Sequence, residues 1–185
     1  MKKKTLFALM AITFLAAGLH AQTTEISNGT ISWKGSKITT DSHVGTLTIS
    51  KGSLNFDGDT LVGGSFIVDM NSIVCTDLTG KKSDRLVGHL KSDDFFAVEK
   101  HPEATLNITT AEKTENGYNV VGDFTIRGIT HSESFTLNLE GKKGTADLEI
   151  DRSKYNVKYA SGSFFENLGD KLINNELELS VSFSF

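Results

Sequence analysis

The chain has 185 residues, 38% of them hydrophobic, and carries 19 Lys and Arg against 23 Asp and Glu. Residues 1–21 hold three of those Lys and no acid, so without them 16 basic face 23 acidic side chains, a net charge of −7 that does not attract nucleic acid. Cys75 is the only cysteine, which excludes an internal disulfide and a thiolate metal cluster and leaves stability to an ordinary core.

In chain order, Lys2–Lys4, an apolar run from Leu6 to Leu19 and then Leu19-His20-Ala21 predict a secretory signal peptide over residues 1–21, cleaved after Ala21. The run is shorter than the ~20 apolar residues that span a bilayer. No Cys near the cleavage point is present to accept a lipid anchor. Residues 22–185 are then a single domain of common size.

That domain reads as strands, because apolar and polar residues alternate with period two. Leu47 and Ile49 share one face of Gly45–Lys51, with Leu54 and Phe56 continuing a similar pattern; Phe66, Val68 and Met70 follow in Gly64–Met70. Leu106 and Ile108, then Val120, Phe124 and Ile126, then Phe135, Leu137 and Leu139, then Ala146, Leu148 and Ile150 extend the series. Leu177, Leu179, Val181, Phe183 and Phe185 close it, alternating with Glu and Ser. Turn signals at Asp57-Gly58-Asp59, Glu115-Asn116-Gly117, Arg127-Gly128 and Glu140–Gly144 imply antiparallel neighbours. About eight to ten strands result. Two stretches break the pattern. Residues 80–100 suit one or two short helices, with Ser92 placed as an N-cap, and residues 161–170 bring Phe164, Phe165 and Leu168 to helical spacing. A sheet this large must close or split to protect its edges, and closure gives an extended antiparallel β-barrel of about eight strands.

The run of Ile31-Ser32-Trp33-Lys34-Gly35, His43-Val44-Gly45-Thr46-Leu47, Gly63–Ile73, His89–Phe96, His101-Pro102-Glu103-Ala104 and Gly122–Thr130 resembles the YceI-like family over essentially the whole mature chain. The resemblance implies a lipocalin-like barrel exported to the periplasm, whose apolar interior takes a polyisoprenoid or other long-chain lipid. It calls for no cofactor and no stable membrane span, and leaves open whether the protein is a homodimer. The family supplies no motif of ligand contacts, so the lining is read from alternation: Leu47, Phe56, Phe66, Val68, Met70, Phe124, Ile126, Phe135, Leu137, Leu179, Val181 and Phe183, with Phe95, Phe96, Phe164 and Phe165 as rim or lid.

No catalytic or metal residue is assigned. His43, His89, His101 and His131 lack metal-site spacing and are expected at the surface or in structural hydrogen bonds, and no nucleophile elbow or phosphate loop is present. Gly63-Gly64 reads as a bulge or bend. Arg127 and Arg152 are the candidates for an isoprenoid diphosphate headgroup, although Arg127 is expected to point outward. Three rival readings are an outer-membrane barrel, disfavoured by the scarcity of Trp and Tyr for interfacial girdles, an enzyme acting on the sequestered lipid, and a filled barrel serving as a stress or adaptor protein.

Overall fold

The computed structural model of the chain describes residues 21–39 and 41–185, and the expected signal peptide through His20 lies outside them. The strands are β1 (Ala21–Glu25), β2 (Asn28–Ser36), β3 (Ser42–Asp57), β4 (Thr60–Cys75), β5 (Glu103–Thr114), β6 (Gly117–Ile126), β7 (Ile129–Glu140), β8 (Lys143–Asp151) and β9 (Glu176–Ser184), with helix α1 (Lys81–Lys91) between β4 and β5. Spatial order runs β3-β2-β9-β8-β7-β6-β5-β4, and β4 pairs back onto β3. Eight antiparallel strands therefore close on themselves, while β1 extends the wall along the second half of β3, beyond β2. This is the lipocalin-like all-β barrel expected from the sequence.

The alternation that predicts the strands also decides their faces. In β7 and β9, whose registers to β6 and β8 run unbroken, Phe135, Leu137, Leu179, Val181 and Phe183 point inward, and the residues that alternate with them, among them Ser134, Thr136, Asn138, Glu178, Ser180 and Ser182, point outward. The polar outer face is the inverse of the apolar band that a lipid-embedded barrel presents. Closure needs curvature, and β3 and β4 supply it through irregularities between Thr46 and Thr48, Ile49 and Lys51, and Asn55 and Phe56. The last lies opposite Gly63, where the sequence places a bend. A Cβ on Gly64 would stand 2.6 Å from the Ser53 carbonyl oxygen, so the strands approach there only because that residue is glycine. The β6–β7 hairpin turns on Arg127 and Gly128, both with positive φ (52° and 74°), as a two-residue turn between right-twisted strands requires.

The wall is uneven. β7 and β8 pair, among the described residues, only through Asn138–Thr145, Leu139–Gly144 and Glu140–Lys143, and farther along each strand is held from its other side alone. The 3-10 turn Arg152–Tyr155 crosses the end of this seam, where Lys154 pairs with Glu133 at 2.7 Å and its carbonyl contacts His131 Nε2 at 3.0 Å.

The insertions differ in detail from expectation. The helix in the 80–100 region starts at Lys81, so Ser92 falls after its last turn and caps the C-terminal end, with Oγ donating to the His89 carbonyl at 2.8 Å; the expected N-cap role is corrected. Residues 161–170 form turns that lead into a 3-10 turn at Gly169–Lys171.

Candidate functional site

The two ends of the barrel are built differently. At the β3–β4 hairpin end, Leu54 and Leu61 are fully buried, Tyr118 bonds across to Asp59 and Leu61, and Phe66 packs on Phe183 at 5.2 Å. That end is filled. Above it, the inward side chains Leu47, Val68, Phe124, Phe135, Leu148, Leu179 and Val181 are only half-buried although they point away from solvent, because they face a void. The cavity measures about 720 Å³, within the ~300–1,000 Å³ of small-molecule sites. Its exposed lining residues, Lys37, Asp41 and Ser42, mark the mouth at the β2–β3 tip, and α1 overhangs it with Leu86, His89 and Leu90. Phe95 and Phe96, in the turns after α1, pack edge to face at 5.3 Å and also border the void.

Of the lining set read from the sequence, Leu47, Phe66, Val68, Met70, Phe124, Ile126, Phe135, Leu137, Leu179, Val181 and Phe183 all border the cavity. Phe56 does not. It stacks on Phe185 at 6.1 Å at the filled end, because it faces inward at the far end of β3, past the floor of the void. Phe164 and Phe165 are likewise corrected as rim residues. Both are exposed; Phe164 lies under the Lys158 ammonium at 5.3 Å, and Phe165 borders a neighbouring cleft that shares Lys37 and Ile173 with the mouth.

The two arginines proposed for a headgroup are both committed to backbone. Arg152, 1% exposed, donates to the carbonyls of Asn174, Val157 and Ile173 at 2.9–3.0 Å and lies 5.3 Å from the Phe95 ring centre. Burial lowers the pKa of its guanidinium. It ties the 157 and 173–175 segments together beside Phe95 and does not line the cavity. Arg127 also folds back, donating to the carbonyls of Asn156 and Asp93.

Sequence reading missed one cluster at the mouth. Asp77, just past β4, accepts from His43 Nδ1 at 2.8 Å, from Cys75 Sγ at 3.1 Å and from the Val44 amide at 3.1 Å. The His43 bond, with the Cys75 and Val44 bonds behind it, holds the Asp77 carboxyl well below the usual carboxylate range despite some desolvation. The thiol and the imidazole both donate to the carboxylate and not to one another, so His43 is not poised as a base on Cys75. Among the described residues no group of three or more His, Cys, Asp or Glu is arranged to hold a metal, and no helix is long and apolar enough to cross a membrane.

A closed antiparallel barrel with one filled end, one open end and an apolar void between them defines a protein built to enclose a small apolar molecule. The YceI-like domain model matches residues 22–185, and the chain belongs to that family. A UPF0312 protein of Staphylococcus aureus is 36% identical over 89 residues, 42% of this chain; the chain spans half of that relative's length. Among solved structures, Burkholderia cenocepacia BcnA superposes with a TM-score of 0.61 at 20% identity, covering 84% of this chain and 94% of that one. A polyisoprenoid-binding domain from Saccharophagus degradans, implicated in plant cell wall breakdown, gives a TM-score of 0.57 at 14% identity over 89% and 99%. These likenesses establish the shared barrel.

Proposed function

We propose that the protein is an exported carrier that encloses a long-chain isoprenoid or similar lipid in its barrel and releases it unchanged. The observation that carries this reading is the void itself, a cavity of about 720 Å³ walled by Phe, Leu, Val and Ile and closed at one end. Each methylene moved from water into such a wall contributes ~0.8 kcal/mol, so a chain of ten carbons supplies about 8 kcal/mol without any charged contact. The solved relative described as a polyisoprenoid-binding domain supports the ligand class. The basic head, apolar run and small residue before position 22 support export to the periplasm. Binding without turnover is supported by the arrangement of His43, Asp77 and Cys75, in which the thiol is bonded to a weakly basic carboxylate and not to the imidazole.

Native mass spectrometry with organic extraction, on mature protein purified without detergent, tests the proposal. A stoichiometric apolar lipid is expected, and its loss in Phe124→Asp, which sets a carboxylate in the apolar wall at a cost of several kcal/mol to any apolar occupant. An empty wild-type protein that also fails to take up added isoprenoid would overturn it.

A further inference from the structure

The inward face of the barrel changes character at the mouth. Along β2 the inward series is Ile31, Trp33, Gly35 and then Lys37; along β3, read outward, it is Ile49, Leu47, Gly45 and then His43. His43 pairs across the strands with Gly35, so the ring faces a position with no side chain, and the nearest atom to a Cβ built there is Leu177 Cδ2 at 3.6 Å. Asp77 takes the Nδ1 edge of His43, and Nε2 has no partner among the described residues; neither does the Ser42 hydroxyl beside it. The apolar tunnel therefore ends in a polar collar.

Each nitrogen donor of this collar faces a carboxylate. Lys37 pairs with Asp41 at 3.3 Å and His43 with Asp77 at 2.8 Å, so each cationic or ionisable donor is matched by a carboxylate. Among the described residues on the cavity lining Lys37 is the one lysine and there is no arginine, Arg127 and Arg152 being turned to backbone carbonyls. A diphosphate would meet Asp41 and Asp77 without an uncommitted guanidinium to offset them, whereas a hydroxyl or carbonyl needs only a hydrogen-bonding edge.

From this juxtaposition we infer that the ligand carries an uncharged polar head, an alcohol, ester or amide oxygen, and that His43 holds it at the mouth opposite Gly35 while its chain fills the barrel. Asp77 is a positioning residue that fixes the imidazole ring. This inference rests on the proposed lipid-carrier function and specifies the head that the carrier accepts.

The sole tryptophan, Trp33, borders the cavity and provides the readout. Delipidated mature protein is titrated with three probes that share one C20 isoprenoid chain, namely geranylgeraniol, geranylgeranyl diphosphate and the parent hydrocarbon, following Trp33 fluorescence. The alcohol is expected to bind about tenfold more tightly than the hydrocarbon, the scale of one to two hydrogen bonds, and also more tightly than the diphosphate. His43→Ala should bring the alcohol down to the hydrocarbon's affinity while leaving the hydrocarbon unchanged, with His43→Gln restoring part of the difference and Asp77→Asn lying between. Unchanged hydrocarbon affinity shows that each variant is folded. Tighter binding of the diphosphate, or an alcohol preference that survives in His43→Ala, overturns the assignment of the head while leaving the carrier function standing. Failure of all three probes to bind overturns the carrier function and this inference with it.

Discussion

Arg152 shows how far a single side chain's surroundings decide its role. A guanidinium after a strand, near a barrel end, is a natural partner for a phosphate, yet here its donors satisfy three carbonyls that no strand or helix partners. Removing it leaves buried acceptors unpaired, so Arg152→Met is expected to destabilise the protein by about 3 kcal/mol in urea unfolding. A loss under about 1 kcal/mol would show that water replaces the guanidinium. Asp77 makes the complementary point with the opposite charge. Its carboxyl holds its proton less readily folded than unfolded, so it favours the folded state above the ordinary value of 3.8, and the contribution disappears as pH falls through the lower folded value. Between about pH 5 and pH 2 the wild type should therefore lose more stability than Asp77→Asn, and parallel acid-unfolding curves would contradict this. Neither role was legible in the sequence. Arg152 meets its carbonyls through irregular segments, and His43 lies 34 residues from Asp77. What the sequence did offer was parity, since His43 shares the face of Gly45, Leu47 and Ile49 and is therefore an inward polar residue at a strand end.

At the scale of elements, alternation tells which face a residue presents and not how far along the barrel the void extends. β7 and β9 pair without interruption to β6 and β8, and Phe135, Leu137, Leu179, Val181 and Phe183, read from them, all border the cavity. Phe56 and Leu139 share the inward face but lie at the filled end, beyond the void. Composition marks the α1 region as helical, but Ser92, which with Asp93 and Asp94 has the composition of a helix start, instead finishes one. The β7–β8 seam had no sequence signal, since both strands alternate as regularly as any other. Over the stretch where they part, the amides of β8 that face β7 lack a cross-strand acceptor, while those that face β9 are bonded. Hydrogen exchange should thus alternate along Ala146–Ile150, with every second amide exchanging much faster than its neighbours. Uniform protection would mean that the seam is zipped in solution.

For the whole molecule, the division between a filled half and a hollow half has a consequence for stability that a uniformly packed barrel would not share. In a close-packed interior, adding methylenes forces strain of about 1–3 kcal/mol, and deleting them leaves a cavity that costs about 2–5 kcal/mol. Leu54, fully buried at the filled end, belongs to that regime, and Leu54→Ala should destabilise within that range. Val181 belongs to the other. It is inward, half-buried, flanked by Ile31 and Ala146 on the neighbouring strands, and faces the void. Val181→Phe should therefore change stability by less than about 1 kcal/mol in the empty protein, because the larger ring enters open space and not occupied volume. The same substitution removes room from the ligand, so bound lipid should fall sharply or shift to shorter chains in extraction and mass spectrometry. Stability and capacity are thus predicted to respond independently at this position. Loss of stability at Val181 on the scale of Leu54 would instead mean that the upper half collapses around its side chains when empty, and that the barrel must be opened by its ligand.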